Sequence, residues 1–574
     1  MARRRGSKRT IEERALDEAA SPHSQLWTCI MELWAWGVLS SPIVQKLAQA
    51  ARRSGCSAHD IDTLAQLGAS GAHEGNCHRD LLRAYAARCV TPALSPVTCP
   101  TKVRAPEGAA TLDTQQAVLP ASQWIRRVCE HGLDTALLGS DAERAIFWAA
   151  QKDSPRATGV GYYHVRDFCP EKTIPLLLFA DGASHAEHDS IVSVSFRSLL
   201  AHQCDIAESM FLLAAMPKSA TVKKETWRCL WQALVEDLNR LAHGLDHDGS
   251  ALPLRAVVWV VSGDYEHMAN EYGLPHWTSL ACFWCSAPKE HFFAFADIPA
   301  LTRSAEDMLD QDALDHPLKA LTNYSPCMFA IDTLHCVDLG VAAHVYANVF
   351  HELTQEWPET KAASLSRLNK ELRSHCVAVG SPAPPLLRYE NFAPRSGEYP
   401  KLRHMKGAAI RRLAPAVQAL AAAYGRGSAH RKRRARVAAL LRAIYDSTSC
   451  RDLVMPAAKH AEFARVLTEF LEEYAKLATS CRGNGWHVVF KFHMLRHLDE
   501  QSKHLSPRFV WTYPGETFMS FMCQIASSCS RGTPGRLLGV KVLQKYRVAQ
   551  HLMLSQQIPT RSRFPVDELD ELED

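Results

Sequence analysis

Three acids in this 574-residue chain stand where carboxylates could meet. Asp181 follows the apolar run Ile174–Ala180. Asp264 follows the run Leu254–Val261 and opens a helix, and Glu516 lies just inside a helix after Arg508–Tyr513. Carboxylates gathered at one edge of a sheet can bind two divalent cations about 3.5–4 Å apart. Such a pair polarises a phosphodiester, activates water or a 3′-hydroxyl, and steadies the leaving oxygen. The ions would also offset the repulsion that otherwise raises the pKa of neighbouring acids. The competing reading is ordinary acids at strand ends and helix starts.

A second set has ligand spacing. Cys282 and Cys285 form a C-x₂-C pair 18 residues after Asp264. His493 and His497 form an H-x₃-H pair, one helical turn apart, ending 19 residues before Glu516. Two thiolates and two imidazoles make a closed tetrahedral zinc site with a structural role. His335 and Cys336 are competing ligands. The alternative without metal is a buried cysteine pair beside Trp284 and two core histidines.

The elements that would position these residues are α/β in character. Ile174–Ala180, Ser190–Phe196 and Leu254–Val261 read as strands, and Trp227–His243 between them reads as a helix. Residues 325–480 read as almost wholly helical, with helices over Lys361–Arg373, Ala408–Tyr424, Arg433–Tyr445 and Ala457–Ala478. Strand patterns return at Trp486–Phe490 and Arg508–Tyr513. Near the N-terminus, Ser24–Trp36 and Pro42–Arg53 have helical periodicity, and the proline-rich stretch 90–120 reads as a linker.

Six segments in order carry a resemblance. They are Leu177-Leu-Phe-Ala-Asp181-Gly182, Val261-Ser-Gly-Asp264-Tyr-Glu, Ala281-Cys282-Phe-Trp-Cys285, Ile331-Asp332-Thr-Leu-His335-Cys, Lys491-Phe-His493-Met-Leu-Arg-His497 and Trp511-Thr-Tyr-Pro-Gly-Glu516. Over roughly residues 160–550 the chain resembles the DDE transposases of the CACTA (En/Spm-like) group, most of all the dinoflagellate-type, transposase-derived copies. The resemblance implies an RNase H-like core with a large all-helical insertion between the second and third acids. The expected division is a helical N-terminal region with basic arm and linker (1–115), the first part of the core (116–325), the inserted helical domain (326–485), the last part of the core with a C-terminal helix (486–555) and an acidic tail (556–574).

The resemblance also implies roles. Asp181, Asp264 and Glu516 become the catalytic acids, holding two Mg²⁺ or Mn²⁺ ions for DNA-end hydrolysis and then strand transfer. Asp332 and His335 become the D-x₂-H element that opens the insertion, with His335 near the scissile phosphate or serving as a packed histidine. Cys282, Cys285, His493 and His497 match a zinc-holding set in the related recombinase that assembles antigen-receptor genes. A homodimer is the expectation for an enzyme that pairs two DNA ends.

Charge fits a DNA partner. The net charge is only +4, yet Lys401–Arg442 carries twelve Lys/Arg and no Asp/Glu, while Asp567–Asp574 carries six acids. Arg431, Lys432, Arg433, Arg434 and Arg436, with Lys541, Lys545 and Arg547, are the candidate phosphate contacts; a solvated helical face is the alternative. No separate end-recognition module is visible in residues 1–115, so a catalytically silent, transposase-derived DNA-binding protein is the second functional reading. The arm with Arg3, Arg4, Arg5, Lys8 and Arg9 would serve a nuclear protein. Apolar runs fall short of the roughly 18 residues a membrane span needs, and no secretory signal is evident. With 18 cysteines in 574 residues, the composition does not suit a disulfide scaffold. No phosphate-loop or nucleophile-elbow pattern occurs, which argues against an ATPase or a serine hydrolase.

Overall fold

The computed structural model describes residues 24–67, 77–86, 91–105, 108–158, 168–201, 204–275, 278, 281–394, 398–481 and 485–557. The basic arm and the acidic tail lie outside the described residues. The fold is a mixed α/β structure, mainly helical, around one four-stranded sheet and one hairpin. No helix among the described residues is long and apolar enough to cross a membrane.

Helices α1 (Gln25–Ala35), α2 (Ser41–Arg53), α3 (His59–Gln66) and α4 (Cys77–Ala86) come first. Trp27, Met31 and Trp34 of α1 are buried in a cluster with Val548, Ala549 and Leu552 near the other end of the chain. The N-terminal helices therefore close over the C-terminal one. The expected linker is instead a hairpin, β1 (Ser95–Ala105) and β2 (Gly108–Val118). Pro96 and Pro100 are tolerated because β1 pairs on one side only within that two-stranded sheet. Cys99 and Thr101 alternate inward with a period of two, and both are buried.

After α5 (Ala121–Glu130) and α6 (Asp141–Gln151), the main sheet is built from β3 (Thr173–Ala186), β4 (Asp189–Ser198), β5 (Phe211–Pro217) and β6 (Arg255–Ser262), in the order β5-β4-β3-β6. The first three are antiparallel neighbours, and β6 runs parallel to β3 with Thr173 opposite Arg255. A parallel pair needs a crossover, and α7 (Lys223–Ala242) supplies it. Leu176 to Ala180 are all buried in succession. Successive strand residues point to opposite faces, so both faces of β3 are covered. Burial ends after Ala180 although pairing continues to Ala186. Asp181 is thus the point where β3 leaves the core, not the end of the strand.

Beyond β6 come α8 (Tyr265–Glu271), a π-helical segment Leu334–Ala342 and the helices α9 (Ala343–Glu356), α10 (Lys361–Ala378), α11 (Ala414–Ala423), α12 (Ala429–Thr448) and α13 (Ala457–Ser480). They lead into α14 (Phe490–Ser502), α15 (Tyr513–Ser530) and α16 (Gly535–Gln557). The expected strands at 486–490 and 508–513 do not form. Trp486 sits at φ +50°, which turns the chain, and its N–H donates to Asn348 Oδ1 at 2.8 Å. The second stretch is bracketed by Pro507, which starts a 3₁₀ turn, and Pro514, which lies in the first turn of α15. Prolines lack the N–H a strand ladder needs and suit a helix start. Together with Phe329, whose neighbour Ala330 donates to the Val261 carbonyl at 3.0 Å, the loop before the π-helix runs briefly beside β6.

Helix α15 rests directly on β3 at a glycine. A Cβ on Gly515 would lie 2.4 Å from the Phe179 ring. Phe179 and Asp181 share a face of β3, so this contact sets Glu516 opposite Asp181. Gly515→Ala is expected to destabilise the fold by about 1–3 kcal/mol through overpacking. Urea unfolding of the variant checks this; an unchanged midpoint would contradict the close approach.

Candidate active site and metal centre

The three acids meet at the mouth of the main sheet. A Cβ on Gly263 would stand 2.8 Å from the Ala180 carbonyl oxygen, so the end of β6 lies hard against β3. Asp264 follows as N-cap of α8, and its carboxylate makes no capping hydrogen bond. It is left to face the site. One turn into α8, His267 Nδ1 lies 4.0 Å from Asp181 Oδ1. Burial holds this imidazole below its ordinary pKa, against the pull of Asp181 and Asp264. Glu516 lies within electrostatic reach of Asp181. Burial first, then the Asp181 charge, pushes its carboxyl up to about 7, with His335 opposing. Glu516 Oε1 is buried and accepts no hydrogen bond.

Asp332 ties the start of the π-helical segment to the start of α15. Its carboxylate accepts from Leu334 N and Thr512 N at 2.9 Å each, from His335 N at 2.8 Å and from His335 Nδ1 at 2.6 Å. Burial pushes Asp332 up, but the hydrogen bonds and charge of His335, with Thr512, outweigh it and hold the acid ionised. The effect on His335 is reciprocal. Burial pulls its pKa down, yet Asp332, Asp264 and Glu516 raise it to about 9. His335 is therefore a cation, with Nε2 3.7 Å from Glu516 Oε1. A cleft beside it is lined by Gly263, Asp264, Asp332, His335, Cys336 and Lys491.

The Cys/His set assembles as the spacing predicts. The four ligand atoms of Cys282, Cys285, His493 and His497 lie within 4.8 Å of one another, and all four residues are buried. Cys282 Sγ is 3.4 Å from His497 Nε2, and Cys285 Sγ is 3.4 Å from His493 Nε2. His493 is fixed by its Nδ1 to the Phe292 carbonyl at 2.5 Å and by a parallel stack on the Phe292 ring. This is how ligating histidines are usually oriented. Burial keeps His497 neutral, the form a metal takes. Burial also pushes the Cys282 thiol well up. The hydrogen bond from that thiol, then those of the two histidines, pushes Cys285 down. The donor chemistry and convergence fit a tetrahedral N₂S₂ ion. Cys336 is not part of it; its thiol faces the Lys491 carbonyl. Nor is His335, which is spent on Asp332. A second cluster, Glu352, His430 and Cys481, has three possible ligands and is only half-buried. Glu352 is already satisfied by His430 at 2.9 Å, Arg434 at 2.9 Å and the Trp486 indole at 2.6 Å.

The basic run is the main correction. Arg434 is fully buried between Glu352 and Glu356 of α9. Arg431 pairs with Glu356, Arg433 with Glu473 and Arg436 with Glu469, the last two acids lying on α13. The positive charge of α12 is thus largely matched across helix interfaces, and only Lys432 of the five is exposed without such a partner. Lys545 is buried over the Trp34 ring, donates to Ser528 Oγ at 2.7 Å and is lowered by burial to about 8. Lys541 donates to Thr533 Oγ1 at 2.8 Å. Arg547 is half-buried on the same helix. Most of these side chains are thus held by partners within the protein.

His267 escaped the sequence reading, although its signal was present. Asp264-Tyr-Glu-His267 has the same D-x₂-H spacing as Asp332-Thr-Leu-His335. Lys491 was also missed; its Nζ donates to the His335 carbonyl at 2.7 Å.

The raised pKa of Glu516 has a sign. Between about pH 4.5 and 7 the folded, metal-free chain holds a proton there that the unfolded chain has released, so stability falls as pH rises through this window. Glu516→Gln removes that loss. The metal-free variant is expected to melt above the wild type at pH 8 and level with it near pH 4. Thermal scans at both pH values test this, and equal melting at pH 8 would contradict the crowding of the acids. No protein-family model and no curated protein matches the chain.

Proposed function

We propose that the chain is a DDE transposase-like enzyme that cleaves DNA and joins the freed end by two-metal phosphodiester chemistry. One observation carries the reading: Asp181, Asp264 and Glu516 gather around His267 and His335 where β3 and β6 leave the core, and Glu516 presents a buried oxygen that accepts no hydrogen bond. Such a site fits divalent cations, because their charge relieves the repulsion among the carboxylates. The sheet supports an RNase H-like core. Three antiparallel strands are followed, through a crossover helix, by a fourth strand parallel to the first.

Asp181, Asp264 and Glu516 would hold Mg²⁺ or Mn²⁺, which supply Lewis-acid polarisation of the phosphodiester and a more acidic water or 3′-hydroxyl. The protein does the rest. Asp332 keeps His335 protonated and aimed at Glu516. The imidazolium can donate to a phosphate oxygen entering the cleft and stabilise the charge that develops there. His267, kept neutral, buttresses Asp181. Cys282, Cys285, His493 and His497 would hold a structural Zn²⁺. That tie fixes α14, at the insertion's exit, to the loop after α8, and so keeps Glu516 in register with Asp264.

The test pairs activity with metal content. The purified chain should nick supercoiled DNA in Mn²⁺, and Asp264→Asn should abolish detectable nicking, as loss of a ligand to the catalytic ions does. It should also carry one equivalent of zinc, and Cys282→Ser with Cys285→Ser should lose it and melt lower. Salt-sensitive DNA binding without cleavage would instead favour a silent, transposase-derived binding protein. Zinc-free protein with full stability would remove the structural tie.

A further inference from the structure

The cleft beside the acids continues onto a cationic edge that nothing above uses. Lys491 lines the cleft with Asp264 and His335. Within electrostatic reach of it lies Lys401, on the segment that precedes α11. Neither lysine has a carboxylate within 4 Å among the described residues, in contrast to the arginines of α12. Glu398, the acid that acts on Lys401, is engaged by Arg403 at 2.6 Å. Two further bonds hold the segment in place: Leu402 N donates to the Ala343 carbonyl at 2.8 Å, and His344 Nδ1 lies 3.0 Å from the Pro400 carbonyl. Burial, then Lys401, holds His344 down to about 4, so it adds no charge of its own. At the outer end, Tyr399 stacks on His487 with ring centroids 3.8 Å apart and planes 8° from parallel. Tyr399 is nonetheless 37% exposed.

Neither ammonium is in an ion pair among the described residues and the two repel each other, a cost that a polyanion removes. An exposed aromatic beside them is the companion feature of a single-strand track, where bases stack and phosphates pair with cations. We propose that Lys491, Lys401 and the Tyr399–His487 stack form a track for the unpaired DNA strand that flanks the scissile phosphate, with Lys491 nearest the acids and Tyr399 stacking on a base. The inference rests on the phosphodiester chemistry proposed above and assigns the substrate's exit path.

The experiment is fluorescence anisotropy of the full chain with a labelled 20-nucleotide single strand, and with the matching duplex, in Ca²⁺ to avoid turnover. Lys401→Ala should weaken single-strand binding and lower the slope of log affinity against log salt by about 0.7, the loss of one phosphate contact. Tyr399→Ala should weaken it by at least about fivefold with the salt slope unchanged, as loss of a stacked base does. Both side chains are exposed, so both variants should melt like the wild type. Arg436→Gln, which breaks a pair internal to the helices, should bind within about twofold of wild type. Unchanged affinity in Lys401→Ala and Tyr399→Ala, an equal loss in Arg436→Gln, or a wild-type chain that binds no DNA would overturn the track. Nicking in Mn²⁺, read in parallel, separates the two readings. Cleaving variants with wild-type affinity remove the track and leave the chemistry. Track variants that lose affinity, in a chain that never cleaves, leave the track and remove the chemistry.

Discussion

Like charges forced together are the constraint on which this structure turns. Burial of β3 ends at Ala180, and there Asp181, Asp264 and Glu516 are brought onto one side of the sheet edge. A protein gains no stability from such an arrangement on its own. Carboxylates at close range share protons or recruit cations, and burial, then the charge of Asp181, pushes the Glu516 carboxyl up. His335 offsets part of the charge, held cationic by Asp332. The close backbone approaches at Gly263 and Gly515 are what make the crowding possible, since any side chain there would push β6 from β3 or α15 from Phe179.

Between the second and third acids the chain leaves the sheet for a long helical excursion. Its return must place Glu516 accurately, and two ties at the excursion's ends do so. At its start, Asp332 accepts the Thr512 N–H immediately before α15. At its exit, His493 and His497 close on Cys282 and Cys285. A third contact lies between them: Tyr513, in the first turn of α15, donates to the buried Asp338 at 2.6 Å, with Arg411 nearby. Burial raises Asp338 to about 6 despite Arg411. The helices that follow α8 are thus bound to the edge of the sheet by polar groups out of solvent. In such places a lost partner is costly.

What could be read from the sequence follows physical lines. β3, β4 and β6 were legible because apolar or alternating runs rich in Val, Ile and Leu end at turn signals. β5 was not, because Phe211–Pro217 is uniformly apolar with no alternation and no β-branched residue. Prolines hid the β1–β2 hairpin, although Val97, Cys99 and Thr101 carry its period of two. Aromatic and β-branched residues at 486–490 and 508–513 mimicked strands, but flanking prolines and the left-handed Trp486 decide otherwise. The Cys/His set was legible because C-x₂-C and H-x₃-H are ligand spacings; the acids, weak by spacing alone, were legible because they stand in an ordered series of motifs that resembles a known family. The basic helix misled because charge counted along the chain cannot see Glu352, Glu356, Glu469 and Glu473 waiting on α9 and α13.

The central claim is that the three carboxylates act as one cation site. Calorimetric titration of the metal-free chain with Mn²⁺ at pH 7, in two buffers of different ionisation enthalpy, tests it most directly. The account predicts Mn²⁺ binding that releases protons, with the release abolished in Glu516→Gln and the binding weakened at least about tenfold in both Asp181→Asn and Asp264→Asn. Binding that is absent, or that is indifferent to all three substitutions, would contradict it.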